Sequence, residues 1–141
     1  MPKLTVLLGA PGSGKSTFAK NSGAHVVTTD GARGRLTPGE TLHKAYTEIN
    51  QALAQGKDVV FDTTGANPKV RKAAATIAAK HGASLAARVM DAPLDACLQA
   101  QKGRANPVAA ADVRRIHDSV RRQAAGLKAE GFKRVDVTRR K

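Results

Sequence analysis

The sequence predicts an α/β fold, a parallel five-stranded sheet with helices on both faces. Three observations predict it. Short apolar runs alternate with helix-period segments along all 141 residues. The first run, Leu4–Leu8, is continuously apolar, as in a central strand covered on both sides. No linker, internal repeat or composition break marks a second domain, so residues 1–141 read as one domain.

Each element has its own signal. Leu4–Leu8 ends at a glycine-rich loop, and a helix begins near Lys15. His25–Thr29 is a second short strand running into Asp30. Residues 31–36 form a Gly/Arg loop. Thr37-Pro38-Gly39-Glu40 then opens a helix: Thr37 can cap, Pro38 suits the first helical position and Glu40 completes a capping box. Leu42, Ala45, Tyr46, Ile49 and Leu53 follow at helical spacing, and Gly56 stops the run. Asp58–Asp62 is the third strand. Asn67-Pro68 opens an alanine-rich helix ending near Gly82. Leu85–Met90 is the fourth strand, with a short helix after Pro93. Residues 102–107 break the pattern and read as a mobile loop, part of a small lid near 101–110. Val113, Ile116, Val120 and Leu127 mark a long amphipathic helix with arginines on its other face, and Phe132–Val137 is the last strand.

Composition narrows the function classes. The chain is 41% hydrophobic but only 3% aromatic, namely Phe18, Tyr46, Phe61 and Phe132. The core must be aliphatic and alanine-based, and few rings are left for stacking bases. One cysteine, Cys97, forbids an internal disulfide and is expected in the core. His25, His43, His81 and His117 lack ligand spacing, so no zinc site is expected. The N-terminal apolar run is too short for a signal segment or a membrane span, which leads to the expectation of a cytoplasmic protein with no membrane partner. The net charge of +13 is uneven: residues 1–70 carry 8 Lys/Arg against 5 Asp/Glu, and residues 71–141 carry 16 against 6. That field favours polyanionic partners, although basic helix faces and the Arg139-Arg140-Lys141 tail can also serve solubility.

Gly9-Ala10-Pro11-Gly12-Ser13-Gly14-Lys15-Ser16-Thr17 fits the P-loop pattern in the strand–loop–helix context that pattern requires. The glycines let backbone amides turn inward around phosphates, and the helix start adds its positive end. Lys15 suits the β- and γ-phosphates, Ser16 a magnesium ion and Thr17 the α-phosphate. A nucleoside triphosphate with Mg2+ is therefore expected. No Asn/Thr-Lys-x-Asp guanine-reading motif occurs, which favours ATP over GTP.

Two carboxylates join this loop. Asp62 ends an apolar strand, where a ligand to a magnesium-bound water belongs. Asp30 ends another strand on the same rim and is a candidate general base for an attacking hydroxyl, or else a turn residue before Gly31. Arg33 could hold an acceptor phosphate or steady the transferring group, or be an exposed loop arginine. Arg104 could supply lid charge to the γ-phosphoryl, or simply be solvated.

Together these motifs resemble the phage-type polynucleotide 5′-hydroxyl kinases. The resemblance rests on the P-loop, on Asp30-Gly31-Ala32-Arg33 as that family's Asp-x-x-Arg, on Asp62-Thr63-Thr64-Gly65-Ala66-Asn67-Pro68 as its third-strand segment, and on Arg104 at its lid arginine. It covers nearly the whole chain. It implies an adenylate-kinase-like strand order, 2-3-1-4-5, with Asp30 as general base, phosphate binding by Arg33, and acceptor contacts from Asp30, Arg33, Thr63 and Thr64. Three positions depart from the family's pattern: Ala100 and Gln101 replace a lid arginine and asparagine, and Gly65 replaces an asparagine. Three readings follow: a kinase of DNA or RNA 5′-hydroxyl ends, a small-molecule kinase acting on a nucleoside or mononucleotide, and an ATPase module working through a partner.

Overall fold

The computed structural model describes residues 2–29, 36–63, 65–105 and 107–139. Five strands form one sheet: β1 (Lys3–Leu8), β2 (His25–Thr28), β3 (Val59–Asp62), β4 (Ser84–Asp91) and β5 (Arg134–Arg139). All pairings are parallel, and the order is β2-β3-β1-β4-β5. Leu4 stands in register with Val59 on one side and Leu85 on the other, so β1 is central. This explains its unbroken burial from Leu4 to Leu8.

Among the described residues, five α-helices connect the strands: α1 (Lys15–Asn21), α2 (Pro38–Ala54), α3 (Pro68–Lys80), α4 (Leu94–Gln101) and α5 (Ala110–Ala124). The strand side chains sort by alternation. Leu4, Val6, Leu8, Val59 and Phe61 face α2 and α3, where Ile49, Leu53, Val70, Ala74 and Ile77 complete the main core. Leu7 and Val60 face the opposite side and pack against Phe18 and Ala19 of α1. A third cluster, Ala10, Ala92, Cys97 and Val113, joins α4 and α5 to the loop after β1.

The helix starts follow the sequence signals. Thr37 Oγ1 accepts from the Glu40 N–H at 3.1 Å, and Glu40 Oε1 accepts from the Thr37 N–H at 3.0 Å, closing the capping box. Asn67 caps α3 by accepting from the Lys69 N–H. Cys97 is buried, as its residue type suggests.

Several boundaries differ from the sequence reading. Leu127 is not in the long helix. α5 stops at Ala124, Gly126 interrupts the path, and Leu127 is buried ahead of a 3-10 turn at Lys128–Glu130. Glycine is a weak helix former, and Leu127 reaches the core through this turn instead of along the helix face. β5 starts at Arg134 because Phe132 is buried before the strand, and parallel pairing begins only at Ala86 with Arg134. β4 is longer than Leu85–Met90, and β2 stops at Thr28. Gln101 does not belong to a mobile lid: it is the last residue of α4 and is buried. Tyr46 packs edge-on against Phe61 at 6.4 Å between ring centroids, and burial pushes its hydroxyl pKa up. No helix among the described residues is long and apolar enough to cross a membrane.

Candidate functional site

The loop between β1 and α1 turns on three glycines. Gly12 and Gly14 have φ of +83° and +99°, in the left-handed region where a Cβ is disfavoured. Gly9 is required for a different reason: a Cβ there would run into Ser13 Oγ and lie 3.0 Å from Met90 Cβ. The Ser13 N–H bonds to the Ala10 carbonyl at 3.1 Å and closes the loop on itself. Ser13 Oγ is buried and has no hydrogen-bond partner among the described residues. Lys15 Nζ donates back to the Ala10 carbonyl at 3.3 Å, which keeps the ammonium over the loop. Pro11 is half-buried, and Ser16 and Thr17 are exposed at the start of α1.

Asp62 lies at the carboxyl end of β3 and is 4% exposed. Ser16 donates its hydroxyl to Asp62 Oδ2 at 3.3 Å, so α1 and β3 bring two oxygen ligands together beside the loop. No group of three or more His, Cys, Asp or Glu among the described residues could hold a metal ion. A hydroxyl and one carboxylate suit a hard cation that completes its shell with water and phosphate oxygens, which is how magnesium binds beside a P-loop. The residues present therefore fit Mg2+, with Ser16 and Asp62 as its protein side.

Thr63 follows Asp62 and is half-buried. Gly65 is buried with φ +70°, and a Cβ there would lie 2.5 Å from the Leu7 carbonyl oxygen and 2.6 Å from Leu8 Cγ. No asparagine fits that position in this packing, so this turn is built on glycine where the resembling kinases carry an amide. The Gly65 carbonyl accepts from Arg71 Nη1. Arg71 is 2% exposed and forks onto Glu130, Nε to Oε1 at 2.8 Å and Nη2 to Oε2 at 2.9 Å. A buried, bidentate arginine thus ties the turn after β3 to the 3-10 turn before β5.

Asp30, Arg33 and Thr64 lie outside the described residues. The strand leading toward Asp30 is described: Thr28, its last residue, stands in register with Asp62. Arg104 is exposed between α4 and α5, with its backbone N–H on the Gln101 carbonyl at 3.2 Å. Its side chain makes no ion pair among the described residues.

The basic half is partly neutralised at its surface. Arg115 pairs with Asp112 at 3.5 Å, Arg122 with Asp118 at 3.1 Å, and Arg121 with Asp91 at 3.2 Å. Arg139 reaches the same Asp91 at 3.6 Å. Such exposed pairs contribute little to stability. The Arg121 contact does place the second half of α5 beside the carboxyl end of β4. His117, on the same helix, contacts the Ala92 carbonyl through Nε2 at 2.7 Å.

Sequence reasoning missed the residues behind the loop. A Cβ on Gly12 would lie 2.8 Å from the Cys97 carbonyl oxygen, 2.9 Å from Ala100 Cβ and 3.1 Å from Gln101 Nε2. The end of α4 is therefore the floor on which the P-loop turns. The motif signals that Gly12 needs close approach, but not which helix approaches it.

Known structures share this fold. A chain in the Pnkp1/Rnl/Hen1 RNA repair complex superposes with a TM-score of 0.75 at 19% identity, over 88% of this chain and 45% of that one. This chain therefore spans less than half of that relative. A gluconokinase from Sinorhizobium meliloti 1021 gives 0.62 at 16% identity, over 98% and 82% of the two chains. A chain of the AvrRxo1-ORF1:-ORF2 complex with ATP gives 0.69 at 17% identity, over 92% and 50%. These likenesses establish a P-loop kinase-like fold. Residues 4–127 match the AAA domain family AAA_33, to which this chain belongs.

Proposed function

We propose that this chain is an ATP-dependent phosphotransferase that moves the γ-phosphoryl group to a hydroxyl acceptor, the 5′-hydroxyl end of DNA or RNA. The observation that carries this reading is the Ser16–Asp62 contact at 3.3 Å beside a formed P-loop, next to the strand whose continuation bears Asp30 and Arg33. The net charge of +13 and the likeness to a chain of an RNA repair complex support a nucleic-acid acceptor.

In this reading the backbone N–H groups of the loop from Gly9 to Thr17, all but that of Pro11, hold the triphosphate, and Lys15 leaves the Ala10 carbonyl for the β- and γ-phosphates. Magnesium, held by Ser16 and through water by Asp62, supplies positive charge to the phosphate oxygens when bound. Asp30 takes the proton of the acceptor hydroxyl, whose oxygen bonds to the γ-phosphorus as the bridge to the β-phosphate breaks and ADP leaves. Arg33, Thr63 and Thr64 hold the acceptor, and Arg104 steadies charge on the transferring group. The connection between α4 and α5 that carries Arg104 serves as a small lid.

Labelled ATP offered with 5′-hydroxyl oligonucleotides, nucleosides and mononucleotides tests the proposal. Label at the oligonucleotide end is expected, and Asp30→Asn should lower turnover by roughly two to four orders of magnitude. Label confined to small acceptors would replace the acceptor class. No transfer to any acceptor would reject the kinase reading.

A small-molecule kinase is the second reading: the likeness to a gluconokinase covers 98% of this chain and 82% of that one.

A further inference from the structure

Gln101 is 5% exposed and closes α4. Its two amide atoms have different situations. Oε1 accepts from the Val108 N–H at 3.0 Å, across the connection between α4 and α5. That bond fixes the amide orientation, so the other atom is the NH2 group. Nε2 is buried without an acceptor among the described residues, and it sits 3.1 Å from where a Gly12 Cβ would be. Buried donors in native folds nearly always have partners, so this one calls for an explanation.

Its surroundings supply one. Gly12 is held in the left-handed region, where the position of a Cβ lies 2.8 Å from the Cys97 carbonyl oxygen and 2.9 Å from Ala100 Cβ. The buried NH2 group therefore lies beside the backbone of the Gly12 turn. From this geometry we infer that Gln101 is a positioning residue that couples the filled P-loop to the α4–α5 connection. When a triphosphate settles into the loop, Nε2 takes a backbone carbonyl of the Gly12 turn. Oε1 is then locked on Val108, and the stretch bearing Arg104 is held in one place. The inference rests on the reading that the P-loop binds ATP.

Two substitutions separate the arms. Gln101→Leu keeps the volume and removes both bonds. Gln101→Glu keeps an acceptor for Val108 but removes the donor and sets a carboxylate beside the loop. The readouts are binding of a fluorescent non-hydrolysable ATP analogue, and trypsin cleavage after Lys102 and Arg104 with and without that analogue. In the wild type, the analogue should bind and slow cleavage. Gln101→Leu should bind about 3- to 10-fold more weakly, the scale of one hydrogen bond, and lose the nucleotide-dependent protection. Gln101→Glu should keep wild-type resistance to trypsin without nucleotide and bind about tenfold more weakly or worse. Wild-type affinity and wild-type protection in both variants would overturn the inference. Should Gln101→Leu lose its circular dichroism signal, Gln101→Glu alone decides. If the wild type itself binds no analogue, the reading of the P-loop fails first and takes this coupling with it.

Discussion

Gly65→Ala is the sharpest test of how the turn after β3 is built. The new Cβ would meet the Leu7 carbonyl oxygen at 2.5 Å, Leu8 Cγ at 2.6 Å and Leu8 Cα at 3.0 Å. Leu8 Cγ can rotate away, but the Leu7 and Leu8 backbone cannot easily yield, because β1 is bonded to β3 on one side and β4 on the other. A left-handed φ costs an alanine about 1 kcal/mol, and overpacking of this kind adds about 1–3 kcal/mol. With an unfolding entropy of about 2.1 cal/mol/K per residue, the sum lowers Tm by roughly 7–13 °C. Gly23→Ala is the matched control. Gly23 has φ +73° but nothing within 4 Å of its Cβ position, so only the dihedral cost remains, roughly 3 °C. Thermal unfolding followed by circular dichroism measures both. Equal shifts in the two variants would refute the claim that contact with β1, and not φ alone, demands glycine at 65.

Other perturbations probe separate features. Glu130→Ala leaves Arg71 buried with only the Gly65 carbonyl. Loss of one partner of a buried pair costs several kcal/mol, but Glu130 is 35% exposed, so about 2 kcal/mol is expected in denaturant unfolding, with part regained on adding Arg71→Met. Thr37→Ala should cost about 1 kcal/mol through loss of the α2 cap, measured by urea titration. Hydrogen bonds from the Thr37 backbone and then its side chain hold the Glu40 carboxyl below its ordinary 4.5. Glu40 thus stabilises the fold fully above that pH, the contribution is lost as pH falls through the lowered value, and Glu40→Gln should flatten this part of the acid limb. Lys15→Ala should abolish binding of an ATP analogue in a fluorescence titration. Asp62→Asn should raise the Mg2+ concentration needed for half-maximal analogue binding by about tenfold.

Much of this architecture is legible in the sequence because local signals and tertiary demands agree. The capping box at Thr37–Glu40, the cap at Asn67 and the central character of Leu4–Leu8 all form as their patterns require. The P-loop was readable because its backbone needs glycine at fixed steps. What escaped depends on approach between distant segments. Gly65 looks like a lost asparagine in the sequence, yet its reason lies in the Leu7 carbonyl, 58 positions earlier. Gln101 looks like a weakened lid position, yet it is packed beneath Gly12. Apolar spacing alone puts Leu127 on the long helix, and spacing does not register that α5 ends at Ala124, ahead of Gly126.

The position of β1 has a consequence for biosynthesis. Its two neighbours come late in the chain: Leu4 pairs with Val59 and Leu85 and has no pairing with β2. At roughly 5–20 residues per second on the ribosome, several seconds separate the emergence of β1 from that of its second partner. Until β3 emerges, a largely apolar strand with the glycine-rich turn attached has both edges open, and the edge that pairs with β4 stays open until the end of that interval. Closure of such long-range parallel pairs is intrinsically slow. The interval between translation of β1 and of β4 is therefore when this polypeptide is most exposed to misassembly, and when a chaperone would have the most to hold.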